Sequence, residues 1–131
     1  MARKLEITLD EVWAADAISD RCPPLVFAVV ARALDCPELE HEATRLLVER
    51  DLPGQEVERV LTHLSSPALT DLERDLVSLA RETVWGQPAQ IQPKLHRLKD
   101  RLTREQLLEF AGMAALANAV CRLSVLGCEV A

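Results

Sequence analysis

Three times in this chain a threonine is followed three residues later by Glu or Gln, just ahead of an apolar-periodic stretch: Thr8…Glu11, Thr70…Glu73 and Thr103…Gln106. In that spacing the hydroxyl accepts a first-turn backbone N–H while the acid or amide reaches back to the threonine's own N–H. Two of the donors that every helix start leaves unpaired are thereby satisfied. Three such starts within 131 residues predict an all-α fold. No stretch sustains period-two alternation, so no sheet is expected. The aromatic share of 3%, with no tyrosine, agrees with helices packed by Leu, Ala and Val.

The pattern reads as about seven helical segments, covering roughly residues 9–18, 23–33, 36–50, 54–64, 71–85, 93–102 and 104–126. Prolines tolerated in a first turn open the second at Pro23-Pro24. Asp51-Leu52-Pro53-Gly54, Ser65-Ser66-Pro67 and Gly86-Gln87-Pro88 punctuate the rest. At this length residues 1–131 are expected to form a single domain that buries a core without disulfides.

Two stretches have almost no polar face. Residues 25–31 read Leu-Val-Phe-Ala-Val-Val-Ala, and residues 110–121 contain Asn118 as their one polar side chain. A helix apolar all round must be surrounded by protein. One small domain offers little cover for two, so a homo-oligomer is expected, with the alanines and Gly112 allowing close helix approach. Asn118 then either ties helices together or sets interface register.

The net charge of −6 and the interleaving of 15 basic with 21 acidic residues argue against nucleic acid, whose binders present a basic stripe. The start lacks a long apolar region and a cleavage site, so no signal peptide is expected. The uncharged run of residues 110–121 is shorter than the roughly 20 residues of a membrane span. Cys22, Cys36, Cys121 and Cys128 have neither zinc-site spacing nor the density of a disulfide framework. A reduced, cytoplasmic protein with no membrane partner, metal or cofactor is the expectation.

Several motifs recur in an order known from one family. Ala33-Leu34-Asp35-Cys36-Pro37 follows an apolar helix, and Asp51-Leu52-Pro53-Gly54-Gln55-Glu56-Val57 comes next. Leu69-Thr70-Asp71-Leu72-Glu73 opens a further helix. Leu102-Thr103-Arg104-Glu105-Gln106-Leu107-Leu108-Glu109 leads to Ala117-Asn118 and Arg122-Leu123. Over about residues 22–127 this order resembles the alkylhydroperoxidase D-like (AhpD-like), or carboxymuconolactone decarboxylase, family. The resemblance implies a multi-helix oligomer and a C-x-x-C-x-x-x-H motif in which the second cysteine attacks peroxide, the first resolves the disulfide, and His and an upstream Glu relay protons. Carried onto this chain, the first cysteine is Cys36. The second falls on Leu39, the histidine on Ala43, and the glutamate near Pro24.

Cys36 is therefore the candidate catalytic residue, a thiol at a helix start, where unpaired N–H groups favour a thiolate. Asp35, Glu38 and Glu40 oppose this. With Arg45 more than two turns away as the cation considered, the expectation is a thiol not strongly acidified by its sequence neighbours. His41 is a second candidate, five residues on and so off the thiol's face along a regular helix. His63 and His96 read as exposed, and Trp13 and Trp85 as packed at helix ends or contacts. Cys22 has an open relation to Cys36, while Cys121 and Cys128 read as core thiols, two turns apart.

Three functions follow as expectations. The first is a weak single-cysteine, thiol-dependent peroxidase or oxidoreductase acting on a small molecule, with an outside thiol resolving the sulfenate. The second is a catalytically degenerate helical assembly or interaction module. The third is a cofactor-free decarboxylase-like enzyme using a histidine.

Overall fold

A computed structural model describes residues 18–125, and among them six helices and no strand. These are α1 (Cys22–Ala33), α2 (Pro37–Glu49), α3 (Gly54–His63), α4 (Asp71–Trp85), α5 (Pro88–Leu98) and α6 (Arg104–Val125). The all-α expectation holds. The first expected segment, over residues 9–18, lies outside the described residues except for Ile18, as does the Thr8…Glu11 capping box.

The apolar helix α1 is the axle of the fold. It packs against α2, α3, α4 and α6, and every residue from Cys22 to Ala31 is buried. Phe27 and Val30 are fully enclosed. A single chain thus covers the stretch of residues 25–31 by itself, because neighbours approach it from several sides. This stretch therefore needs no second subunit to cover it, and the expectation of a homo-oligomer rests on α6.

Both described capping boxes form. Thr70 Oγ1 accepts from the Glu73 N–H at 3.1 Å, and Glu73 Oε1 accepts from the Thr70 N–H at 3.0 Å. Thr103 and Gln106 repeat the exchange at 3.1 and 2.8 Å. Gly86, in the left-handed region at φ 65°, ends α4 at the expected place.

A device that recurs after α1 and after α2 sets the two tight turns. After α1, Asp35 is left-handed (φ 55°), its N–H reaches the Arg32 carbonyl at 3.3 Å, and the Cys36 N–H reaches the Ala31 carbonyl at 2.8 Å. After α2, Asp51 is left-handed (φ 68°), its N–H reaches the Val48 carbonyl at 3.3 Å, and the Leu52 N–H reaches the Leu47 carbonyl at 3.0 Å. Each is a Schellman closure with Asp in the usual glycine position. In each, the next residue is buried and a proline follows. Cys36 and Leu52 occupy equivalent places, 5% and 0% exposed.

One helix differs from expectation. The segment read as 93–102 is α5, Pro88–Leu98, with Pro93 inside it. Pro88 supplies a first-position proline five residues earlier. Pro93 removes one N–H, the partner of the carbonyl four residues back. Packing of Ile91 against the core and the Lys94–Glu82 ion pair at 3.1 Å hold the helix across that gap.

Candidate functional site

Cys36 stands immediately before α2, whose first residue is Pro37. Its side chain turns inward, and the residues that the family resemblance equates with the second cysteine and the histidine share the buried face. Leu39 is 8% exposed and Ala43 is sealed. Where the family motif carries sulfur and imidazole, this chain carries aliphatic packing. His41 is exposed on α2 beside Glu42, whose carboxyl is held low mainly by its hydrogen bond to Arg45, with a smaller contribution from His41. His63 and His96 are exposed too.

The fold gives Cys36 a neighbour the sequence did not point to. The fold brings the Cys121 thiol of α6 beside it, and Cys121 is itself fully buried. Burial first, then the Cys36 thiol, pushes Cys121 up to about 12. Cys22 is separate. It opens the 12-residue α1, whose length is roughly 18 Å, while Cys36 follows the other end. Burial, then the carboxylates of Glu109 and Glu73, pushes Cys22 up to about 12. The open question of whether Cys22 meets Cys36 is answered by the helix between them.

Arg32, four residues before Cys36, is the cation that sequence reasoning passed over. It is already committed: Nε and Nη2 donate to Glu40 at 2.7 and 3.2 Å, and Nη1 and Nη2 to Glu58 at 3.3 and 2.9 Å. Two carboxylates from α2 and α3 clamp it, so Arg32 ties three helices together.

The two raised thiols give stability a pH dependence. The ordinary value is 9.0, so above pH 9 the unfolded chain loses protons that the folded one keeps. Stability is full below pH 9 and is lost as pH climbs toward 12. Tyrosine is absent, and the lysines are Lys4, Lys94 and Lys99, so few other groups titrate there. The urea midpoint is expected to fall steadily between pH 8.5 and 11, and the Cys22→Ser/Cys121→Ser chain to show a shallower fall. Equal slopes for the two chains would contradict the assignment.

Among the described residues, a cavity of about 440 Å³ opens between α4, α5 and α6, walled by Leu79, Ile91, Leu95, Leu107, Phe110 and Ala114. Polar groups gather at one end of it. Asn118 Nδ2 donates to Thr83 Oγ1 at 3.1 Å and to the Ala114 carbonyl at 2.8 Å, tying α6 to α4. Arg122 Nη2 donates to the Val84 carbonyl at 2.9 Å and to Asn118 Oδ1 at 3.5 Å. A second hollow, of about 280 Å³, is walled in part by Trp85, which sits at the end of α4 and is 58% exposed.

Beside the cavity, α6 presents an apolar face to the outside. Leu108 is 62% exposed, and Ala111, Gly112, Ala115 and Ala119 are exposed too. Within residues Arg104–Ser124 an 18-residue window has a mean hydropathy of 1.3, so the helix is long and apolar enough to cross a membrane by length and composition alone; 33% of that window is buried in this chain. A side chain added at Gly112 would meet nothing within 4 Å. Glycine inside a helix costs roughly 0.5–1 kcal/mol against alanine, and no contact within the described residues requires it.

Among the described residues no group of three His, Cys, Asp or Glu side chains is placed to hold a metal ion. The chain matches no family model, no curated protein and no solved structure.

Proposed function

We propose that this chain is a helical assembly module, with the outer face of α6 as its working surface and a second copy of itself as its partner. The observation that carries the reading is α6: apolar enough within residues Arg104–Ser124 to cross a membrane, yet with only one third of its most apolar 18-residue window buried and Leu108, Ala111, Gly112, Ala115 and Ala119 exposed. A large exposed apolar patch marks an interaction site. The spacing points to a like partner. Leu108, Ala111, Ala115, Ala119 and Arg122 stand three, four, four and three residues apart, a row that reads the same in both directions about Ala115. Two antiparallel copies crossing at Ala115 would set small residues against small residues. Each Leu108 would lie under the aliphatic stem of the partner's Arg122. Gly112 would gain the close approach that its own chain does not use.

The thiol-peroxidase reading implied by the AhpD-like resemblance draws less support. Cys36 fills the same buried turn position as Leu52, and the remaining motif positions pack in the core or hold no titratable group. The decarboxylase-like reading needs a histidine in a pocket, and His41, His63 and His96 are all exposed.

Sedimentation equilibrium at micromolar concentration tests the assembly. A dimer or larger species is expected, against 14.6 kDa for one chain. Ala115→Glu, at an exposed position, should shift it to monomer with its helical content intact. A wild-type monomer, or an Ala115→Glu assembly of unchanged size, would overturn the proposal.

A further inference from the structure

The cavity between α4, α5 and α6 adjoins the proposed seam and shares Ala111, Ala115 and Arg122 with it, but has a different character. It is elongated: its lining on α6 runs from Leu107 to Arg122, a span of roughly 22 Å at 1.5 Å per residue. Apolar side chains line most of that length. The polar groups Thr83, Asn118 and Arg122 stand together at one end. A volume of about 440 Å³ falls within the range of small-molecule sites, which are mostly apolar with a few converging polar groups.

The polar end is built to offer one charge. Thr83 Oγ1 is spent, donating to the Ala80 carbonyl at 2.6 Å while accepting from Asn118. Both donors of Asn118 are spent as well, and its carbonyl oxygen accepts from Arg122. Arg122 alone keeps free donors. Its Nη2 is anchored to the Val84 carbonyl and Asn118, which holds the guanidinium at the cavity's end. Among the described residues no carboxylate pairs with it, and Nε and Nη1 have no protein partner. An anchored but unneutralised cation at the solvent-exposed end of a long apolar groove selects an amphipathic anion, whose charged group stays at the surface while its chain leaves water.

We infer that this cavity binds a linear hydrocarbon carboxylate, with the chain along Leu79, Ile91, Leu95, Leu107 and Phe110 and the carboxylate on Arg122. The hydrocarbon supplies affinity by leaving water, and the charge-assisted hydrogen bond fixes which way round the ligand lies. Asn118 is a positioning residue that acts through Arg122. Binding needs one chain only, since the groove is walled by three helices of that chain; a second copy seated on the seam would compete for Ala111, Ala115 and Arg122.

Titration calorimetry on the full chain, with dodecanoate held below its micellar range, tests it. The expected result is saturable binding at one dodecanoate per chain. Dodecanol, with the same chain and no charge, should bind roughly tenfold or more weakly, as expected for one hydrogen bond to a charged group. Dodecyltrimethylammonium should not bind. Arg122→Gln should erase the preference for dodecanoate over dodecanol. Ala111→Trp, at an exposed lining position, should block both ligands while the melting curve stays cooperative. It keeps the test decisive if Arg122→Gln does not fold. Dodecanol equal to dodecanoate, no saturable binding below the micellar range, or dodecanoate binding that survives Ala111→Trp would each overturn the inference. Retention on phosphatidylglycerol vesicles without one-to-one dodecanoate binding would make this face a membrane contact and overturn it too. A chain that is monomeric yet binds dodecanoate would refute the assembly proposal and leave this one standing.

Discussion

Ala117→Glu is expected to abolish the folded state, whereas Ala115→Glu, two residues away, leaves it intact. Ala117 has no exposure at all. It belongs to the inner face of α6, with Met113, Ala114, Val120 and Cys121, all buried, and α6 packs on α1. A glutamate there must either carry a charge into aliphatic surroundings, at a cost of several kcal/mol, or force α6 off α1. Domains of this kind have roughly 5–15 kcal/mol in hand. Overpacking adds about 1–3 kcal/mol to the loss. Far-ultraviolet circular dichroism should show the helical signal gone or without a cooperative melt at 25 °C. An Ala117→Glu chain that melts cooperatively within a few degrees of the wild type would show that this face is not the core face. The pair separates two properties that α6 combines, an inner face that builds the monomer and an outer one available to a partner.

Local chemistry made most of the architecture readable. Thr70 with Glu73 and Thr103 with Gln106 mark helix starts because capping is an affair of four consecutive residues, and Gly86 marks a stop for the same reason. The boundaries of α4 follow from those residues alone. Proline 93 misled because a proline signals a first turn and a helix interior with the same letter, and tertiary contacts of Ile91 and Lys94 decided between them. Asp35 and Asp51 end their helices in the left-handed position that glycine usually takes, a signal available in the repeated Asp-x-Pro but easily read as a mere loop. The self-sufficiency of α1 was not legible, since an apolar helix looks alike whether its own chain or another surrounds it. The site was less legible still. Cys36 and Cys121 meet across 85 positions, Asn118 and Thr83 across 35, and nothing local encodes which partner folding delivers. Asn118, solitary in its apolar run, was the exception: a buried amide must find partners, and the structure supplies Thr83 and Ala114.

The same distinction gives Glu73 its weight. From sequence it is a capping-box residue, worth about 1 kcal/mol. Folding adds a second duty, because Arg21, 52 residues upstream, grips both carboxylate oxygens, Nη2 to Oε1 at 2.6 Å and Nε to Oε2 at 3.1 Å. The Glu73 side chain is 4% exposed and that of Arg21 18%. Arg21 also donates to the Ala68 carbonyl at 3.3 Å, so one guanidinium fastens the start of α1 to the start of α4. Glu73→Ala removes the cap and the charge together. The guanidinium it leaves is only partly able to return to water, so the loss should approach that of a broken buried pair, about 3 kcal/mol. Glu73→Gln keeps an acceptor for the Thr70 N–H and should lose about half as much, while Arg21→Ala/Glu73→Ala should be less destabilised than the sum of its single variants. Urea unfolding measures all four chains. A Glu73→Ala loss under 1 kcal/mol, or strict additivity in the double variant, would mean that Glu73 acts as a cap alone and that the contact with Arg21 carries no net stability.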